Sequence, residues 1–141
     1  MSVAVRAFMA LCVSMILLAS CGSAPETLPA DVQVTVEMKD YSITVTPATM
    51  KAGTIKIGIK NSGAMLHEFD LIKTDLAPDK LPIDTGAAKA KTDGLVKQVQ
   101  NLGVGKVATV SADLAAGHYV IICNVAGHYQ LGMRAELTVQ P

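Results

Sequence analysis

Apolar and polar residues alternate in short segments along most of this chain. In residues 32–36, 41–45 and 55–59, every second position holds Val, Ile or Tyr, and the positions between are polar or glycine. A period of two residues with β-branched side chains is typical of strands that bury one face. Because the chain contains no Trp and only 2 Phe, the core between such strands must be built mainly from aliphatic side chains.

Further strands are predicted later in the chain, at residues 66–72, 96–99, 107–111, 119–123 and 134–139. Residues 74–94 are less regular, contain two Pro and are interpreted as a long loop with one helical turn. Roughly seven or eight short strands in one domain, residues 31–141, predict an all-β sandwich or barrel.

Residues 1–30 carry a different pattern, that of an export signal followed by a tether. One positive side chain precedes a 13-residue apolar run, residues 7–19, which is too short to span a bilayer but suits a signal peptide. Cys21 stands where this run ends, as the lipidated Cys of bacterial lipoproteins does. We therefore predict a lipoprotein-type signal peptide at 1–20 and a lipid anchor with a flexible tether at 21–30. The alternative is an ordinary signal peptide in which Cys21 is incidental.

Charge and cysteine content narrow the possible partners. Twelve Lys and Arg balance 12 Asp and Glu, so the chain lacks the basic excess of nucleic-acid binders and no nucleic-acid partner is expected. Of the three Cys, Cys12 leaves with the signal peptide and Cys21 would be acylated, so Cys123 remains as a lone thiol. An unpaired thiol in an oxidising compartment is protected from oxidation when it binds a metal ion.

The segment Gly117–Met133 contains the most specific motif of the chain, a Cys-x4-His-x4-Met formed by Cys123, His128 and Met133. A second His, His67, lies on a predicted strand far upstream. Two imidazoles, one thiolate and a weak thioether are the ligand set of blue-copper sites, because these donors suit both Cu(I) and Cu(II). Given Cys123, the composition makes a His and a Met at these spacings a coincidence of roughly one in a thousand.

The third His, His118, is not included in this ligand set. It precedes Cys123 by five residues, an odd number, so on a strand its side chain points to the opposite face. Tyr119 and Ile121 share the face of Cys123 and are expected to pack beneath the site.

The motif and its surroundings resemble the ligand loop of the cupredoxins, the plastocyanin/azurin superfamily of type 1 blue-copper proteins. The loop spacing is similar to that of the auracyanin, rusticyanin and sulfocyanin group, and the resemblance covers roughly residues 31–139. It implies a Greek-key β-sandwich and electron transfer without enzymatic catalysis. It also implies one copper ion, with ligands His67, Cys123, His128 and Met133. One residue departs from the pattern: Glu68 follows the first His, where many family members have an Asn or Ser that bonds near the thiolate.

Other copper and zinc functions fit the sequence less well. A multicopper enzyme would need a His beside the thiolate, whereas Ile122 and Asn124 flank Cys123. A binuclear copper site would need a Cys where Gly127 stands, and zinc prefers a better fourth ligand than a thioether. A periplasmic copper chaperone or storage protein stays open as the alternative, since such proteins use the same residue types in exposed, Met-rich sites.

The expected partners are redox proteins, with a cytochrome or a terminal oxidase as candidates, and a membrane that binds the lipid on Cys21. The protein is expected to be an exported monomer, anchored to the cell membrane or outer membrane and facing the periplasm or the exterior. Electrons are expected to pass through His128, with its ring edge near solvent and framed by Ala126, Leu131 and Gly132.

Overall fold

The computed structural model describes residues 26–141, so the predicted signal peptide at 1–20 and Cys21 lie outside the described residues. The alternating segments form two main sheets. The first has the strand order β2 (Ser42–Thr46), β1 (Val34–Lys39), β4 (Gly53–Asn61) and β9 (Val107–Leu114). The second has the order β3 (Thr49–Lys51), β11 (Arg134–Gln140), β10 (Gly117–Ile122), β5 (His67–Lys73) and β8 (Leu95–Leu102). A small hairpin pairs β6 (Ile83–Asp84) with β7 (Lys89–Ala90). Residues 26–141 contain one helix, α1 (His128–Leu131).

The predicted all-β sandwich is confirmed, with two open sheets instead of a closed barrel. Neighbouring strands are mostly antiparallel, but β1 runs parallel to β4 and β3 runs parallel to β11. The chain passes from one sheet to the other five times, between β2 and β3, β3 and β4, β4 and β5, β8 and β9, and β9 and β10. The β4–β5 and β8–β9 crossings lie at the same end of the sandwich, because Lys60 pairs with Val107 and His67 pairs with Leu102, so strand ends from both sheets meet there.

Every predicted strand is present, and three short strands were not predicted. β3, β6 and β7 are two or three residues long, too short for alternation to be visible. The helical turn predicted within residues 74–94 is wrong: this loop holds turns and the β6–β7 hairpin, and the single helix of the described chain lies elsewhere, at residues 128–131.

The main core lies between the two sheets. Alternation along β1 places Val34, Val36 and Met38 there, all fully buried. From the second sheet, Tyr119 and Ile121 enter the same core cluster, on the face that their spacing from the lone thiol predicts.

The central strand β10 is buried on both faces. Its second face carries Val120 and Ile122, which pack against Leu81 and Ala90 of the loop at residues 74–94. This loop therefore acts as a cover over the outer face of the second sheet. Strands buried on both faces need apolar residues at every position, which explains why the last four residues of β10 are all apolar.

The described part of the predicted tether, residues 26–30, lies against the first sheet. Glu26 forms an ion pair with Lys106, with 2.6 Å between Oε1 and Nζ. Leu28 packs over Gly58, where an added Cβ would lie 2.8 Å from the Leu28 Cδ2 atom. These contacts shorten the length of chain that could act as a free tether.

No helix within residues 26–141 is long and apolar enough to span a membrane.

Asn61, at the end of β4, connects three segments of the chain. It is fully buried. Its Nδ2 donates to the carbonyl oxygens of Met65 at 2.8 Å and Leu102 at 2.9 Å, and its Oδ1 accepts from the N–H of Gly63 at 2.9 Å. One side chain thus links the loop before β5 to the end of β8.

Replacing Asn61 with Ala is expected to lower the free energy of unfolding by about 2–4 kcal/mol, because it leaves two carbonyls and one N–H without their partner. Urea unfolding of the metal-free protein measures this loss. Gln33→Ala is the matched control, since it removes a single exposed hydrogen bond, to the N–H of Lys56 at 2.8 Å, and should cost under about 1 kcal/mol. Equal losses in the two variants would contradict the role given to Asn61.

Candidate metal centre

The loop between β10 and β11 is closed by its own backbone. The N–H of Cys123 donates to the carbonyl of Met133 at 3.0 Å, and the N–H of Met133 donates to the carbonyl of His128 at 3.1 Å. Gly127 and Gly132 flank the helical turn α1 with φ of 83° and 120°, a left-handed conformation that costs other residues strain. These bonds and glycines fold residues 123–133 into a compact loop that returns His128 to Cys123.

Three of the predicted ligands meet at one point. Cys123 Sγ lies 3.7 Å from Nδ1 of His67 and 3.5 Å from Nδ1 of His128. The imidazole centroids are 5.4 Å apart with the rings inclined by 67°, and the candidate ligand atoms all lie within 4.8 Å of one another. One sulfur and two nitrogens converging in a buried space fit a metal ion that accepts thiolate and imidazole.

The fourth predicted ligand, Met133, lies at the base of the same loop. It is fully buried within the main core cluster, which also contains Cys123. Its backbone is bonded to both Cys123 and His128, so its position follows from the closure of the loop.

The surroundings of Cys123 hold the thiol in its neutral form until a cation arrives. Burial raises the pKa of Cys123, and the carboxylates of Glu68 and Asp70 act in the same direction. The backbone N–H groups of Glu68 and Val125 oppose this effect, the first at 3.3 Å from Sγ. The two amides are suited to stabilise a thiolate once a metal displaces the proton.

His67 is held in the neutral form that binds metals. Burial lowers its pKa, against the opposing charge of Asp40, and His128 lowers it further. The Nε2 atom of His67 lies 2.8 Å from Oδ1 of Asp40, which leaves Nδ1 facing Cys123. Asp40 was missed by the sequence analysis, because it lies in the β1–β2 turn, far from His67 along the chain, and no motif includes it.

The ligand loop is fastened to the cover loop by a second residue that the sequence did not indicate. Asn124 accepts from the N–H of Ala90 at 2.9 Å and donates to its carbonyl at 3.0 Å. The N–H of Gly127 donates to the carbonyl of Ala88 at 2.8 Å. The β6–β7 hairpin thus supports the loop that carries Cys123.

Glu68, the residue that departs from the family pattern, contacts the candidate metal site through its backbone N–H. Its N–H faces the sulfur of Cys123, as described above, while its carboxylate pairs with Lys89 at 3.6 Å. The side chain is thereby turned toward the cover loop, where a cation partly offsets its charge.

His118 lies apart from the three converging ligands. Its Nδ1 is 2.7 Å from the carbonyl oxygen of Thr74, and its Nε2 is 3.4 Å from the Glu136 carboxylate. Both ring nitrogens therefore have partners on the other face of β10.

The ring of His128 lies just beneath the surface of the protein, as expected for a ring edge near solvent. His128 is only 4% exposed, and the ring of Tyr41 packs against it edge-on with 5.2 Å between centroids. Tyr41 is 39% exposed, and its hydroxyl contacts Met65 Sδ at 3.3 Å. Leu131, 60% exposed, lies on the same loop as His128. We call the exposed residues Tyr41, Met65, Leu66 and Leu131 the apolar rim.

Comparisons with known proteins agree with this fold. A family model described as the sulfocyanin (SoxE) domain matches residues 12–141. Auracyanin from Roseiflexus castenholzii is 23% identical over 78% of this chain and 99% of its own, with a TM-score of 0.55. Auracyanin A, described as a "blue" copper protein from Chloroflexus aurantiacus, is 26% identical over 76% and 98%, with a TM-score of 0.54. Rusticyanin from Thiobacillus ferrooxidans is 20% identical over 75% and 76%, with a TM-score of 0.57. No match was found among curated protein sequences.

Proposed function

The chain belongs to the sulfocyanin (SoxE) family of cupredoxins, and on this premise we propose that it is a mononuclear blue-copper electron carrier. The observation that carries the proposal is the buried convergence of His67, Cys123 and His128. When bound there, copper supplies the one-electron Cu(I)/Cu(II) couple. Met133 is proposed as the weak axial ligand, from its position at the base of the ligand loop.

The protein's own contribution is to hold the donors still and to keep water away. Cys123, His128 and Met133 are tied together by backbone hydrogen bonds, and His67 is held at the start of β5. A site whose ligands are positioned by rigid strands changes little when its charge changes, and small rearrangement is what an electron carrier requires.

The burial of the ligands favours a carrier over the alternative of a copper chaperone or storage protein. His67 and Cys123 are fully buried and His128 nearly so, whereas a chaperone needs an exposed site from which the metal can be handed on. The converging group contains no carboxylate, so zinc would find only a thioether as a protein-derived fourth ligand. We propose no enzymatic activity.

The apolar rim is proposed as the surface where a redox protein docks. Tyr41 touches both His128 and Met65, so the rim is continuous with the metal site. The chain carries no net charge, and a modest apolar patch suits the small, short-lived interfaces of electron-transfer partners. A cytochrome or a terminal oxidase fits this description.

We place the protein at the outer face of a membrane, held by lipid on Cys21. Since residues 26–30 lie on the domain, only residues 22–25 would form a free tether. Fully extended, the five steps from Cys21 to Glu26 span at most about 18 Å. Glu26 lines the same surface depression as Gly63, next to the metal end, so this end would stay close to the membrane.

The copper-loaded, oxidised protein is expected to absorb intensely in the visible range, by charge transfer from the Cys123 thiolate. The colour should disappear on reduction and resist a brief challenge with a chelator. Cys123→Ser should abolish the colour, whereas the matched variant His118→Ala should keep it. Only the faint absorption of ordinary Cu(II), or rapid loss of copper to the chelator, would contradict the carrier function.

Cys21→Ala is expected to move the protein from the membrane fraction to the soluble exported fraction, because it removes the acceptor of the lipid. Immunoblots of fractionated cells measure the distribution. Cys12→Ala is the control and should remain in the membrane fraction. Retention of the Cys21 variant there would rule out the lipid anchor.

Leu131→Lys is expected to slow electron self-exchange roughly tenfold, because two copies that meet at the apolar rim would then bring like charges together. NMR line broadening in mixtures of oxidised and reduced protein measures the rate without any partner. Leu95→Lys is the control: it adds the same charge at an exposed position, but at the opposite end of the β5–β8 ladder from His67. Equal rates in the two variants would mean that electrons leave elsewhere.

A further inference from the structure

We propose that Asp40 is a positioning residue for the metal ligand His67. Its carboxylate fixes the imidazole with Nδ1 toward the metal, and its negative charge stabilises the more highly charged oxidised site, which lowers the reduction potential. The second part rests on the proposed copper function, whereas the first concerns the protein alone.

The carboxylate of Asp40 joins the ligand to the loop that precedes it. Oδ1 lies 2.8 Å from Nε2 of His67, and Oδ2 accepts from the N–H of Ala64 at 2.7 Å. The His67 N–H does not point straight at the oxygen, so the contact is mainly electrostatic. The Asp40 side chain is 21% exposed, whereas that of His67 is fully buried.

Gly63, in the loop before β5, leaves the space that the contact between Asp40 and His67 needs. A Cβ added at Gly63 would lie 2.8 Å from Nε2 of His67 and still closer to Oδ1 of Asp40. Any other residue at this position would force the two groups apart or displace the loop. Gly63 is in turn held by the side chain of Asn61 at 2.9 Å, so the close approach is supported by the end of β4.

Asp40 keeps its charge in this position. Its Oδ2 accepts the hydrogen bond from the N–H of Ala64, which lowers the pKa of Asp40. A negative carboxylate 2.8 Å from the far nitrogen of His67 favours the proton on that nitrogen and leaves Nδ1 free to bind a metal. The negative charge also favours the more positive state of the metal.

Two variants separate the orienting effect from the charge effect. Asp40→Asn removes the charge but keeps one side-chain oxygen that can face Nε2 of His67, while its amide NH2 takes the place of the oxygen that accepts from Ala64. Asp40→Ala removes both the charge and the side-chain oxygen. Asp113→Asn is the matched control, because it removes the same charge beside Thr54, at the end of β4 opposite Asn61.

The first measurement uses the metal-free protein. Long-range ¹H–¹⁵N NMR correlations should show the Nε2–H tautomer of His67 in the wild type and in Asp40→Asn, and a mixture of tautomers in Asp40→Ala. An unchanged tautomer in Asp40→Ala would overturn the orienting role. This measurement decides the matter even if the wild type bound no blue copper and the proposed function failed.

The second measurement uses the copper-loaded protein. Asp40→Asn should raise the reduction potential by about 59 mV, which corresponds to a tenfold change in the ratio of the Cu(I) and Cu(II) binding constants. Asp40→Ala should in addition weaken copper binding about 10- to 100-fold. A potential shift in Asp40→Asn no larger than that in Asp113→Asn would overturn the charge effect.

Discussion

The metal centre depends on the pairing of β10 with its two neighbours. Ile122 lies opposite Arg134 of β11 and opposite Asp70 of β5. This register places Cys123 at the strand end beside the start of β5, where His67 stands. A slip of one residue would turn every side chain of β10 to the other face, and the thiol would then face the cover loop instead of the main core. Tyr119, Ile121 and Cys123 belong to the main core, whereas Val120 and Ile122 pack under the cover loop, so a slip would exchange these two sets of side chains.

Burying the ligands creates a cost that other residues offset. A buried polar group without a partner is destabilising, and two buried amide side chains near the site are bonded to loops. Asn61 holds the loop before His67, and Asn124 holds the cover loop against the loop of Cys123. The same bonds that satisfy these polar groups make the loops rigid, and rigid loops keep the ligand atoms in place.

An electron carrier must protect its metal and still exchange electrons with a partner. In this protein, the two requirements are met by different residues. His128, proposed as a copper ligand, is only 4% exposed, while Tyr41, which packs against it, is 39% exposed. The β1–β2 turn thus contacts both imidazoles of the site. Tyr41 packs against His128, and its neighbour Asp40 contacts His67.

The sequence by itself determined the longer strands and identified the candidate ligands. Period-two alternation is a local property, so β1, β2 and β4 could be located without any knowledge of their neighbours, and the spacing of Cys123, His128 and Met133 lies within one loop. The short strands β6 and β7 could not be found, because a two-residue strand exists only through its pairing. The tertiary structure alone decided that Asp40 meets His67, that Tyr41 covers His128, and that residues 26–30 lie on the domain. Each of these contacts joins residues that are far apart along the chain, and their energy comes from the burial and bonding of groups that become neighbours only when the two sheets pack together.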